Sequence, residues 1–154
     1  MSAASSWCRW ALSNDLEARL YSCLASRRWA RAVASGEAAD AAMDRLTDDE
    51  WLEAMSAHPR IGERGGDAPA SSEREQSRAM DASPATLAAL AAENRRYEER
   101  FGHVFLIFAS GRSGEEILSE LRRRLENDPA AELEEAKHEL RKIALMRLRG
   151  LVTA

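Results

Sequence analysis

SPATLAALAAENRRYEERFG, residues 83–102, reads as one complete helix with both ends marked. Ser83 followed by Pro84 puts a side-chain cap before a first-turn proline, the favoured order at a helix N-terminus. Leu87, Leu90, Asn94, Tyr97 and Phe101 recur at the three-and-four spacing of one helical face. Gly102 stands where helices commonly end. The chain on either side repeats this pattern of caps and stripes.

Upstream, Ser72-Glu73-Arg74-Glu75 is a capping box that opens a short helix. From His58 to about Ser71, Pro59, Gly62, Gly65, Gly66 and Pro69 break any period and predict a loop. Thr47-Asp48-Asp49-Glu50 is a second box, after which Trp51 and Met55 share a face. That helix must stop near His58, because Pro59 disfavours helical geometry in the residue before it. Asn14 with Glu17 marks an earlier start, followed by Leu16, Leu20 and Leu24 at period four.

Downstream, Val104 to Ala109 is the one stretch that reads as extended, and being apolar on both faces it should be buried. Ser113 with Glu116 opens a helix whose stripe is Ile117, Leu121 and Leu125. Asp128-Pro129 opens the last one, with Leu133, Ala136, Leu140 and Ile143 on its inner face. Six or so helices, with no hairpin signal and no repeat, predict an all-α fold. The expected architecture is an irregular multi-helix bundle with one short buried extended segment, a single domain over residues 1–154.

Composition sets bounds on function. With 45% hydrophobic and 31% charged residues the chain has the balance of a soluble globular domain, and no run nears the roughly 18 apolar residues of a membrane span. Met1 to Trp10 lacks the apolar core and cleavage site of a secretory leader, and the last residues carry no peroxisomal address. A net charge of −4 argues against nucleic acid as a partner. The basic run Arg122-Arg123-Arg124 lies among Glu116, Glu120 and Glu126 and reads as a solvated, charge-balanced face. Cys8 and Cys23 offer neither a disulfide framework nor a metal spacing, and read as free thiols of a cytoplasmic protein.

Three features break the local rules. His58 sits at a helix-to-loop junction, where an imidazole can be rigid yet reachable; a surface histidine ending a helix is the plainer reading. Glu75 and Gln76 begin a helix after a glycine-rich loop, where free N–H groups can hold an anion, although Glu75 also serves as the return arm of the Ser72 box. Arg147 falls on the apolar stripe seven residues after Leu140. A buried guanidinium needs a carboxylate, from the protein or from a ligand, unless it snorkels at the edge of the bundle. His58, His103 and His138 lack zinc-site pairing, and Gly111-Arg112-Ser113-Gly114 reads as a capped turn.

His58-Pro59-Arg60-Ile61-Gly62, Ser72-Glu73-Arg74-Glu75-Gln76-Ser77 and Asn94 to Gly102 with Phe105 to Ala109 occur here in that order. Together with Cys23 to Trp29, Glu139 to Ile143 and Arg147-Leu148, they resemble the OHCU decarboxylase family. The initials stand for 2-oxo-4-hydroxy-4-carboxy-5-ureidoimidazoline, which lies on the route from urate to allantoin. The likeness runs from about Asp15 to Val152. It departs in the region from Val33 to Thr47, where Ala34-Ser35-Gly36-Glu37-Ala38 replaces an Arg-Pro-Phe-like segment.

The resemblance implies an all-helical homodimer acting on a small anionic substrate, with no cofactor, no metal and no membrane. It implies His58, Glu75 and Arg147 as the catalytic trio. It also implies substrate contacts from Pro59, Ser72, Glu73, Arg74 and Gln76, and from backbone groups of Phe105, Leu106, Ile107, Phe108 and Ala109. Two other readings stay open on the residues: a non-catalytic helical interaction module, and a lyase acting on a related ureido compound.

Overall fold

The structure, a computed structural model, describes residues 15–62 and 75–153. The Asn14 cap, Cys8, most of the glycine-rich loop, and Ser72, Glu73 and Arg74 lie outside the described residues. Among the described residues there are eight helices and no strand. They are α1 (15–23), α2 (Arg27–Ala34), α3 (Ala39–Asp44), α4 (Asp48–Met55), α5 (Ser77–Met80), α6 (Pro84–Phe101), α7 (Gly114–Arg124) and α8 (Pro129–Thr153).

Four of the caps read from the sequence fall on described residues and are made. Thr47 Oγ1 accepts from the Glu50 N–H at 3.2 Å, while Glu50 Oε1 accepts from the Thr47 N–H at 3.2 Å. Ser83 accepts from the Thr86 N–H, Ser113 from that of Glu116, and Asp128 Oδ1 from that of Ala131. Gly102 closes α6 with φ at +79°, a left-handed conformation in which a Cβ would be strained.

Two helices went unread in the sequence. α2 starts from Ser26, whose hydroxyl accepts from the Trp29 N–H at 3.2 Å. α3 has no side-chain cap and only six residues, so neither a cap nor a period announces it. It occupies the region where the sequence departs from the family pattern, and its Ala39 carbonyl accepts from Trp29 Nε1 at 3.1 Å.

The chain divides into two compact units, one holding the described residues up to Ala54 and from Ile143, the other Met55–Lys142. In the first unit Leu20, Cys23, Leu24, Trp29, Met43 and Trp51 are buried. Leu16, in the first turn of α1, is 42% exposed, so the period-four stripe begins at Leu20. The core of the second unit joins Leu90 and Tyr97 of α6, Phe105 and Ile107, and Ile117 and Leu121 of α7. Gly114 lets α7 approach closely: a Cβ there would lie 2.6 Å from Ala82 Cβ and 3.1 Å from the Ala79 carbonyl oxygen.

Candidate active site

In the second unit the chain leaves α4 through a turn in which the His58 N–H donates to the Met55 carbonyl at 3.1 Å. His58 and Pro59 are half-buried. Two side chains fasten the next residues. Gly62 donates its N–H to Gln76 Oε1 at 3.1 Å, and Asn94 Nδ2 donates to the Ile61 carbonyl at 3.0 Å. The turn after His58 is thereby tied to Gln76, just ahead of α5, and to the middle of α6. Gln76 is buried and its neighbour Glu75 is half-buried.

Asn94 was legible only as a stripe residue. The signal for more was its polarity between Leu90 and Tyr97 on a face that is otherwise apolar. It is 3% exposed, and its Oδ1 is buried without a hydrogen bond among the described residues.

The segment after α6 is neither helix nor strand, and Phe105, Leu106, Ile107 and Ala109 are buried as the sequence predicts. A buried stretch outside a helix or sheet must satisfy its peptide groups some other way. The Leu106 carbonyl accepts from Arg124 Nη1 at 2.5 Å, and that of Ala109 from the Arg112 N–H at 3.0 Å. The N–H groups of Phe105, Leu106, Ile107 and Ala109 find no acceptor among the described residues. Such a row of buried donors suits the oxygens of a small polar ligand.

Arg124 overturns one expectation. It is not part of a solvated face but 1% exposed, while Arg122 and Arg123 are exposed. Its Nε donates to Glu132 Oε1 at 2.7 Å, and Glu132 is itself fully buried. The missed signal is positional: Arg124 lies seven residues after Ile117, as Arg147 does after Leu140.

Arg147 belongs to the first unit, where it is half-buried and Nη1 donates to the Ser22 carbonyl at 3.4 Å. The adjacent Cys23 is a free, buried thiol. Burial pushes its pKa up, partly countered by the positive charge of Arg147. Among the described residues no group of His, Cys, Asp or Glu could hold a metal ion, and no helix is long and apolar enough to cross a membrane.

The fold and site define a helical protein with a half-buried histidine at a pinned turn and a buried peptide stretch whose N–H groups find few acceptors among the described residues. The sequence profile of the family described as OHCU decarboxylase matches residues 11–149, and the chain belongs to this family. It is 40% identical over 120 residues to the uric acid degradation bifunctional protein TTL of Arabidopsis thaliana, covering 74% of this chain and 37% of that protein. It is 44% identical over 59 residues to 2-oxo-4-hydroxy-4-carboxy-5-ureidoimidazoline decarboxylase of Amia calva, covering 38% of this chain and 34% of that one. The chain thus spans about a third of the length of these curated relatives. Among solved structures, an OHCU decarboxylase crystallised in the presence of (S)-allantoin superposes with a TM-score of 0.75 at 33% identity. That match covers 87% of this chain and 96% of the other. An (S)-allantoin synthase, at 20% identity and a TM-score of 0.68, shares the fold over 90% of this chain.

Proposed function

We propose that this chain is a carboxy-lyase that converts 2-oxo-4-hydroxy-4-carboxy-5-ureidoimidazoline to (S)-allantoin in urate degradation. The observation that carries the reading is the likeness, along almost its full length, to a decarboxylase crystallised with (S)-allantoin.

The chemistry asks little of the protein beyond placement. C4 of the substrate bears a carboxylate and a hydroxyl, and C5 beside it is double-bonded to a ring nitrogen. When the bond from C4 to the carboxylate breaks, CO2 departs and its electron pair forms a C4=C5 bond. The C=N pair moves onto nitrogen, which takes a proton. The enol at C4 then releases its hydroxyl proton to become a carbonyl, and C5 is protonated on one face. One proton is consumed overall, and the substrate supplies its own electron sink.

His58 is the group that moves the hydroxyl proton, at a position half-buried and pinned by the turn behind it. Glu75 orients it or the substrate. Gln76 has its Oε1 engaged by Gly62, so its Nε2 donors are the end that suits a substrate oxygen. Arg147 pairs with an anionic group of the substrate, the carboxylate by its charge and fork. Pro59 and the backbone of Phe105 to Ala109 line the site, with Ser72, Glu73 and Arg74 completing it. The reading extends to a single domain, a homodimer and a cytoplasmic location, the last supported by the free Cys23 thiol. One cooperative unfolding transition and a dimeric mass in solution are the matching measurements.

The test generates the substrate in situ from urate with urate oxidase and the upstream hydrolase, then adds this protein while circular dichroism follows (S)-allantoin. We expect rapid growth of the optical signal. His58→Ala should lose on the order of 10²–10⁴ in kcat while staying folded. No acceleration over the spontaneous background would leave the fold standing and favour an interaction module; turnover of a related ureido compound alone would move the reading to another lyase.

A further inference from the structure

The roles above leave out the most deeply buried charges of the second unit. Arg124 and Glu132 are 1% and 0% exposed. Glu132 Oε1 accepts from Arg124 Nε at 2.7 Å and from the Tyr97 hydroxyl at 2.5 Å, and its Oε2 accepts from Asn127 Nδ2 at 3.0 Å. The guanidinium lies 4.6 Å from the centroid of the Phe105 ring, which also meets Tyr97 edge-on at 5.3 Å.

A pair this buried is weak support for stability, since well-packed apolar residues of similar size commonly do as well or better. It does one thing apolar side chains cannot: Arg124 Nη1 grips the Leu106 carbonyl at 2.5 Å. A peptide unit is planar and trans, so its carbonyl and the following N–H point in opposite directions. Holding the Leu106 carbonyl toward Arg124 therefore aims the Ile107 N–H away from it. That N–H is one of the donors that find no acceptor among the described residues.

We infer that Arg124, held by Glu132 and Tyr97, is a positioning residue that orients the Leu106–Ile107 peptide so that the Ile107 N–H donates to substrate. The inference rests on the decarboxylase reading and assigns that site a support beneath its binding surface. Arg124 does not touch substrate; it acts through the peptide plane. A donor that serves ground state and transition state alike shows its loss in KM more than in kcat.

The decisive variant exchanges the whole pair for apolar residues, Arg124→Met with Glu132→Leu, which leaves no unpaired buried charge. We expect its melting temperature to stay near that of the wild type while KM for the in situ substrate rises about tenfold or more and kcat moves less. Addition of (S)-allantoin should shift the Ile107 amide resonance in the wild type and not in this variant. A folded variant with wild-type KM and the wild-type amide shift overturns the inference. If the double variant does not fold, Arg124→Lys carries the test, because it keeps the charge but not the planar fork. A raised KM and an altered Ile107 amide support the inference, and wild-type values of both overturn it. Absence of turnover by the wild-type chain would withdraw the decarboxylase reading and this inference with it. Turnover by the wild type with unmoved variants would withdraw this inference alone.

Discussion

Arg124 lies seven residues after Ile117 on the stripe of α7, and Arg147 lies seven after Leu140 on the stripe of α8. Both are cations that helical geometry turns toward an apolar face. In the second unit Arg124 is sealed at 1% exposure, with a carboxylate, a carbonyl and an aromatic face around its guanidinium. In the first unit Arg147 is half-buried, and Nη1 reaches the Ser22 carbonyl at 3.4 Å. The difference teaches that register brings a charge inward, whereas the partners at that depth decide how completely it is sealed. Glu132 sets a buried carboxylate against Arg124; for Arg147 the proposed function adds the substrate's carboxylate to its contacts with the protein.

The largest effect that tests this contrast is on stability. Arg124→Met alone strands the Glu132 charge in the core, and unfolding should become easier by about 3–5 kcal/mol. The equivalent change at half-buried Arg147 should cost much less in a denaturant titration; equal losses would erase the distinction. Next comes activity. Arg147→Lys keeps the charge but not the bidentate fork, and kcat/KM should fall on the order of 10²-fold with the melting temperature little changed. Unaltered kcat/KM would remove Arg147 from the substrate site.

Smaller is the cap beneath both partners. Asp128→Ala removes the acceptor for the Ala131 N–H at the start of α8, the helix that carries both Glu132 and Arg147. A loss of about 1 kcal/mol, or roughly 2–4 °C in melting temperature, is expected by calorimetry, without a change in KM. Smallest is the alkaline behaviour of Cys23. Its folded pKa is raised by burial above the ordinary 9.0, so the stability due to the neutral thiol is present below 9.0 and is lost as pH rises through the raised folded value. Arg147 lowers that pKa, so Arg147→Met should push the pH midpoint of Cys23 alkylation by iodoacetamide further upward. A midpoint that falls or stays fixed would show that the two groups do not interact.

Much of the fold was legible because its signals are local. The Thr47 box, the Ser83 and Ser113 caps, Gly102 and the Asp128 start all concern groups within four residues of one another. α3 was not legible, because six residues without a cap carry no period. The order of the His58-Pro59, Glu75-Gln76 and Asn94 to Gly102 motifs pointed to the family that the match over residues 11–149 establishes. The ties that hold those motifs together were invisible: Gly62 to Gln76 spans 14 residues, and Asn94 to Ile61 spans 33.

By itself, the sequence determined the helical class, most helix ends, the burial of the stretch from Phe105 to Ala109, and the family. Each follows from hydrogen bonds and periodicities that close over a few residues, or from an ordered set of motifs. Only the tertiary structure decided that Arg124 belongs to the core, that Asn94 fastens the turn beyond His58, and that the row of N–H groups after Val104 finds no acceptor among the described residues. These depend on which groups meet across a distance in the chain. The burial of a charge is settled by the partner that reaches it, and no local pattern in the sequence records that partner.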